Sequence, residues 1–483
     1  MNKYFIKKVI VLTYFIFISS LSIAQDVDYI YPMGINENDV EELKAMPQKA
    51  VLTRSFYDAV NLPNSFSLKQ FAPIPKRQKF GTCSAWASAY AARTIIEAKA
   101  NNWTDKEEIT RNAFTPAFTY RINEPDVKDC NGAATSSVVA SLKTIGALPL
   151  KSWNKDINKR MEYYCPDELS KDLLDVASNY KINDFSKLFY SENKDSTKTE
   201  KVKLSLSNGN PVVITMLCPI SFHRVKKSYW EPVEKPNFDK KHGRHAMTVV
   251  GYDNNKHGGA FEVQNSWGVD YADGGYVWIK YEDFNTFVYG AIELFEYQEP
   301  EPERPLFKGA LSILDINSQI KLKAKLTTNN PAITYKIMEP LVTGSRIRFY
   351  LQNDNPAYVY MLGTGSVDPT VNILFPVDGL SALLNYKTNV VPLPSEDQYL
   401  EMDDTVGKDY LILLYSKEKL DIDLILKSLN DSEGTIDRKL DNLFEDQIIS
   451  NTMINYNESE IDFETYAKDQ SKIMSIIIEF DHN

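Results

Sequence analysis

Three side chains in this 483-residue chain are of the types that nucleophilic catalysis needs: the thiol of Cys83, the imidazole of His245 and the amide of Asn265. A thiol attacks as its thiolate, so it needs surroundings that favour the anion and a base within reach. Cys83 opens "CSAWASAYAARTIIEAKA", a run of strong helix formers that follows Gly81-Thr82 and ends at "NNW". The pattern predicts a helix with Thr82 capping the first turn and Cys83 at its N-terminus. The unpaired N–H groups and the macrodipole there favour thiolate over thiol, which lowers a pKa of about 8.5 for a free cysteine. Ala85, Ala87, Ala89, Ala91 and Ala92 predict that neighbours approach closely, as in a central buried helix.

A base has to come from five histidines. His223 and His257 lie in loop-like segments, His482 is next to last and His242 sits in a polar stretch, so each reads as solvent-facing or internally satisfied. His242 and His245 lack the accompanying acidic or cysteine ligands of a zinc site. His245 differs, because it opens "HAMTVVGYDNNKHGGAFEVQNSW", two apolar, β-branched runs around a cluster of turn residues. That is the pattern of a β-hairpin, and its register brings Asn265 opposite His245 or within one pleat on the same face. An amide oxygen there can fix the imidazole tautomer, and Trp267 can shield the hydrogen bond from water.

Other stretches place this unit in a longer chain. Lys3, Lys7 and Lys8 lead into "VIVLTYFIFISSLSIAQ", with Ser22 and Ala24 at the small-residue positions of a cleavage site, which predicts a signal peptide over residues 1–24 and export to the periplasm, cell surface or medium. No later run is long and apolar enough to span a membrane, so no stable span is expected after signal removal. The segment 25–61 contains a short helix candidate, "NENDVEELKAM", with two roles open: a trimmed inhibitory segment, or a strap packed on the domain. Four cysteines allow one bridge or two; Cys130 and Cys165, in polar loop-like contexts, are the better candidates for a bridge, whereas Cys218 ends the buried-strand pattern "PVVITMLC". "EYQEPEPERP" reads as a stiff linker over 298–305. Beyond it, 306–483 carries the short β-rich runs "RIRFYLQN", "AYVYMLGTG", "VNILFPV" and "YLILLYS", then two helix patterns and a closing strand, as in a β-sandwich. A net charge of -11 with no Lys/Arg block argues against nucleic acid as a partner.

The ordered series "QKFGTCSAWA", "FTPAFTYRIN", "CNGAATSSVVASLKTIGALPL", "NGNPVVITM", "HAMTVVGY" and "QNSWGVDYADGGY" resembles the papain family of cysteine proteases, in the form common in bacteria. The resemblance runs over 62–297 and implies an α+β, two-lobed, papain-like catalytic domain: a helical lobe with the cysteine helix and an antiparallel β lobe. It also implies Cys83 as nucleophile, His245 as general base and acid, Asn265 as its orienting residue and Gln78 as the oxyanion-hole donor beside the Cys83 N–H. The implied partner is a peptide or protein substrate, with no cofactor or metal. Two other functions fit the same motifs, a peptide- or protein-binding fold that has lost turnover and a thiol acyl-transfer enzyme acting on a non-peptide amide. The chain departs from the family pattern in five ways: Gln78 is five rather than six residues before the cysteine, Phe80 replaces an extra cysteine, Ser84 replaces a tryptophan, Ala133 replaces a second glycine, and His245 follows Cys83 by 162 residues rather than about 130 to 150. The β-rich region after the linker is similar to a bacterial domain of unknown function and reads as a binding or positioning module for an unidentified ligand.

Overall fold

The computed structural model describes residues 31–52, 62–296 and 305–483, apart from 125, 127–128, 156–158, 160–162, 239–241, 329–331, 387–388 and 470. The signal-peptide stretch and all of the linker except Pro305 lie outside the described residues.

Apolar, β-branched runs in the first half build one antiparallel sheet. Its strands are β1 (Ser65–Ser67), β2 (Asp184–Tyr190), β3 (Val212–Cys218), β4 (Gly243–Asp253), β5 (Ala260–Gln264), β6 (Tyr276–Lys280) and β7 (Val288–Phe295). The order is β2-β7-β3-β4-β5-β6, with β1 added along β4. The most apolar run, "VVITMLC", is β3, buried at every position and flanked on both sides; Cys218 is a free, buried thiol within it. β4 and β5 form the hairpin predicted from sequence, closed at Gly258 and Gly259, whose φ values of 80° and 100° suit glycine.

The helical lobe packs on this sheet. One continuous helix begins as α-helix at Cys83–Ala85, widens to a π-helix over Trp86–Arg93 and returns to α-helix at Thr94–Ala100. Its alanines do what their size predicts: Ala85, Ala89 and Ala92 have no exposed surface. The Thr248 hydroxyl of β4 reaches across to donate to the Ala87 carbonyl at 2.8 Å. Thr82 occupies the cap position but makes no side-chain capping bond, contrary to the expectation; only its carbonyl serves the first turn, accepting from Ala85 and Trp86 N–H. Helices Pro116–Asn123 and Thr135–Thr144 belong to the same lobe, and a Cys130–Cys165 disulfide, against which Phe80 packs, ties the loop between them to the chain that follows.

The β-rich region is two sheets face to face. One runs through Ala324–Thr328, Ile333–Ile337, Met474–His482, Gly407–Ser416, Ala357–Gly365 and Asn372–Phe375; the other is centred on Arg346–Asn353 and Lys308–Asp315. Strand Arg346–Asn353 alternates strictly, turning Ile347, Phe349 and Leu351 into the shared core. Helices Ile422–Asp431 and Ile436–Phe444 cover the outer face of the first sheet with Ile425, Leu429, Leu440 and Phe444. Among the described residues no helix is long and apolar enough to cross a membrane.

The N-terminal segment forms helix α1 (Asp39–Ala45) with an extended stretch on either side of it; α1 and the stretch before it pack on the first half, whereas Ala50 and Leu52 after it join the buried cluster of the β-rich region.

Candidate active site

The hairpin and the central helix bring together the residues singled out by sequence. His245 Nε2 lies 2.8 Å from Asn265 Oδ1, and the Trp267 indole stacks on the imidazole with centroids 4.6 Å apart. Because Oδ1 can only accept, Nε2 carries the proton and Nδ1 is left as the basic lone pair. Nδ1 has no hydrogen-bond partner among the described residues. Cys83 Sγ accepts the backbone N–H of Ala246, the residue after His245, at 3.5 Å. Gln78 is fixed at both ends of its amide: Oε1 accepts the Ser266 hydroxyl, while Nε2 donates to the carbonyls of Phe80 and Pro32. The shortened Gln78 loop therefore still aims an N–H into the cleft.

That cleft is filled by the chain's own residues 31–36. Tyr31 stacks on Trp267 at 4.7 Å, and Pro32 presents its carbonyl to Gln78 Nε2 at 2.9 Å and to Trp267 Nε1 at 3.2 Å. Gly34 N–H donates to Cys83 Sγ at 3.1 Å, and the Gly34 carbonyl accepts from Ala133 N–H and the Ser84 hydroxyl. Asn36 continues past Gly132 and donates to the Glu124 carboxylate. Glycine at 34 is required by space, since a Cβ there would come within 1.8 Å of the Gly81 carbonyl oxygen. Helix α1 then locks the segment down: Asp39 accepts from Thr135 N–H and Tyr289 hydroxyl, Glu42 accepts from the Ser136 and Ser137 hydroxyls, and Leu43 is fully buried. Cys83 and His245 have no exposed surface as a result.

Burial sets the electrostatics. It pushes the Cys83 thiol up to about 11, against the backbone N–H donors of Ala246 and Gly34, and pulls the His245 imidazole down to about 4, against the Asn265 hydrogen bond. The thiolate-favouring effect expected of the helix N-terminus is thus outweighed in this closed state, because the segment excludes the water that would solvate the anion. The segment carries its own buried carboxyl, Asp39, raised to about 6 by desolvation.

His223, read from sequence as solvent-facing or internally satisfied, is buried and hydrogen-bonded, and it lies beside the cleft. It ends the short helix Ile220–His223, is 1% exposed, stacks on Trp267 with ring centroids 4.5 Å apart, and accepts the Tyr31 N–H on Nδ1 at 3.3 Å. The polar stretch before His245 braces that helix: Glu234 accepts from Ser221 N–H and hydroxyl, and Trp230 is buried beside it. Neither "ISFHRVKK" nor "IYPMGIN" contains a spacing or periodicity that announces these contacts, which come only from chain segments remote in sequence.

The profile of the papain family cysteine proteases matches residues 62–289. Among solved structures, the chain is similar to xylellain, a cysteine protease from Xylella fastidiosa, at 20% identity over 56% of this chain and 97% of that one, with a TM-score of 0.43. It is also similar to digestive procathepsin L 3 of Tenebrio molitor (11% identity, 53% and 77% covered, TM-score 0.38) and to procathepsin B S9 from Trypanosoma congolense (15%, 54% and 85%, 0.38). No curated protein matches the chain. By its family profile, residues 62–289 of this chain belong to the papain family of cysteine proteases.

Proposed function

We propose that this chain is an exported cysteine peptidase made in a latent form, with its N-terminal segment lying in its own active site. Cys83 is the nucleophile, His245 the general base and acid, Asn265 the residue that orients it, and Gln78 Nε2 with the Cys83 N–H the oxyanion donors. His245 Nδ1 takes the thiol proton and Sγ bonds to the peptide carbonyl carbon, with negative charge developing on the carbonyl oxygen. The imidazolium returns the proton to the leaving nitrogen as the C–N bond breaks, leaving a thioester. Water then attacks the thioester with His245 as base, releasing the acid and restoring the thiol. Export rests on the lysine-led apolar run at residues 1–24.

The observation that carries the reading is the pair His245–Asn265 at 2.8 Å, stacked under Trp267 beside a cysteine that the segment covers. Chain polarity explains why the covering segment survives. A productive substrate puts its leaving nitrogen on the His245 and Trp267 side and its acyl part along Ala133 and Gly132, because the proton donor must face the leaving group. The segment lies the other way round, with Tyr31 at Trp267 and its C-terminal neighbour Asn36 at Gly132.

The test uses a peptide-based epoxide that alkylates active-site thiolates, read by intact mass on the full chain. Gly34→Val cannot seat at Gly81 and opens the cleft. That variant takes up a single adduct, mapped to Cys83, much faster than the wild type, and Cys83→Ala/Gly34→Val takes up none. A folded Gly34→Val protein that stays unlabelled and leaves peptides intact would overturn the peptidase reading.

A further inference from the structure

The occluding segment does not end at the catalytic half. After α1 it continues into the β-rich region, and residues 48–52 are held from both sides. On one side, Lys49 N–H donates to the Lys187 carbonyl of β2 at 2.9 Å. On the other, Gln48 exchanges two backbone hydrogen bonds with residues 379–386 of the β-rich region, a loop that includes the two-residue strand Leu383–Leu384: its N–H to Gly379 O at 2.7 Å and its carbonyl from Ser381 N–H at 2.9 Å. Next along the same loop, the Tyr386 hydroxyl donates to the Ala50 carbonyl at 2.6 Å, and its ring lies 4.0 Å from the Lys49 ammonium. Lys49 pairs with Glu293 of β7 at 2.6 Å, and Asn385 donates to that same carboxylate oxygen at 2.8 Å. Ala50 and Leu52, each 1% exposed, belong to the buried cluster of the β-rich region, which also takes in Leu204 of the catalytic half, rather than to the main catalytic core.

These contacts assemble into one mechanical unit. Lys187, whose carbonyl holds Lys49, also points its ammonium at the C-terminal end of α1, donating to Leu43 O at 2.8 Å. Charge at that end of a helix is favourable for a cation, so strap and helix stabilise each other. α1 in turn is seven residues of rigid chain whose other end, Asp39, is buried three residues beyond Asn36 in the cleft. A displacement at residues 48–52 therefore reaches Gly34 through a short helix and not through slack chain.

We propose that the β-rich C-terminal region is an intramolecular latch: the loop 379–386 clamps residues 48–52 of the N-terminal segment and so keeps the segment over Cys83. This assigns a function to a region that contributes no residue to the site, and it rests on the peptidase reading above. Two consequences follow for activation. Cutting the chain between residue 52 and the catalytic domain leaves the segment held from both sides, so a nick alone does not expose Cys83. Loosening the loop 379–386, by a cut within it or a ligand that draws it away, exposes Cys83 with the segment still covalently attached.

The experiment compares rates of Cys83 labelling by the epoxide in the full chain. Asn385→Ala/Tyr386→Ala removes the side-chain half of the clamp and is expected to label about tenfold faster than the wild type or more, since each lost hydrogen bond shifts the opening equilibrium several-fold. Tyr386→Phe, which keeps the ring and loses only the bond to Ala50, shifts the rate in the same direction by less and covers the case in which the double variant does not fold. Leu429→Ala, a core truncation in the helix on the far face of the C-terminal sheet, is the control for general loosening and labels at the wild-type rate. Wild-type rates in both clamp variants, alongside fast labelling of Gly34→Val, would refute the latch and leave the peptidase reading standing. Labelling of Leu429→Ala as fast as the clamp variants would also refute it, by showing that any damage to the region opens the cleft. Failure of Gly34→Val to label removes the peptidase reading and the latch together.

Discussion

Cys83 and His245 are both neutral in this closed structure, the thiol accepting the N–H of Ala246, the residue after the imidazole. With the thiol held up at about 11 and the imidazole down at about 4, both by desolvation, the thiolate–imidazolium pair is not populated near neutral pH until water returns to the cleft. The same burial makes closure pH-dependent. His245 and His223 are lowered from 6.5 to about 4 and about 3, so the open state binds more protons than the closed one below pH 6.5. Closure is fully stable above that pH and is lost as pH falls toward 4. Asp39 works in the opposite sense: raised from 3.8 to about 6, facing Thr135, Tyr289 and Arg244, it strengthens docking as pH falls through 6. Two histidines outweigh one carboxyl, and opening of residues 31–36 is expected to rise about 10- to 100-fold between pH 6.5 and 4.5. Amide hydrogen exchange of those residues, corrected for the intrinsic rate at each pH, measures it; protection that stays level or increases in acid would mean that Asp39 dominates.

At the scale of elements, the central helix and the hairpin do the positioning, and α1 does the closing. The alanine-rich helix lets β4 approach until Thr248 bonds its backbone, which sets Cys83 beside the start of the strand that carries His245. α1 is short and would be marginal alone, so its stability comes from packing. Leu43 carries that packing: it has no exposed surface, and a Cβ on Gly290 of β7 would meet it at 2.8 Å. Leu43→Ala is expected to cost about 2–5 kcal/mol of docking energy. The cost falls on the segment and not on the catalytic fold, so Cys83 alkylation accelerates while the main thermal unfolding transition barely moves. A lowered Tm with unchanged alkylation would place Leu43 in the global core instead.

For the molecule as a whole, the Lys49–Glu293 pair is where three chain regions meet, with side-chain exposures of 4% and 0%. Asn385 is its third member. A buried pair is costly to break by halves, because the remaining charge is stranded. Lys49→Met is expected to destabilise the full chain by about 3–5 kcal/mol in urea, and Lys49→Met/Glu293→Leu to recover much of that loss. Equal stabilities for the single and double variants would show that water reaches the site. The halves also touch directly at Asp184 of β2, which accepts from Lys143 at 2.6 Å and from the Tyr358 hydroxyl of the β-rich region.

What could be read from sequence was what local rules encode. The helix after Cys83 followed from propensity, the His245 hairpin from alternation and turn residues, and the strands Arg346–Asn353, Ala357–Gly365, Asn372–Phe375, Gly407–Ser416 and Met474–His482 and helices Ile422–Asp431 and Ile436–Phe444 from their periodicities, whereas the strands Asn389–Leu393 and Ile461–Thr465 were not legible. The proximity of His245 and Asn265 was legible too, because pairing across a hairpin is a short-range constraint. The occlusion of Cys83 by Gly34, the entry of His223 and the clamp on residues 48–52 were not legible. "YPMGIN" and "PQKAVL" have no periodicity of their own; they make extended backbone whose partners lie 49 residues away for Gly34 and Cys83 and 336 for Ala50 and Tyr386. The segment offers only backbone N–H and carbonyl groups to those remote side chains, and these carry no signature in its own sequence, so only the assembled surfaces decide where such chain lies. The ionisation of the pair was settled the same way. Position on a helix argued for a thiolate, and the water excluded by a distant segment reversed it.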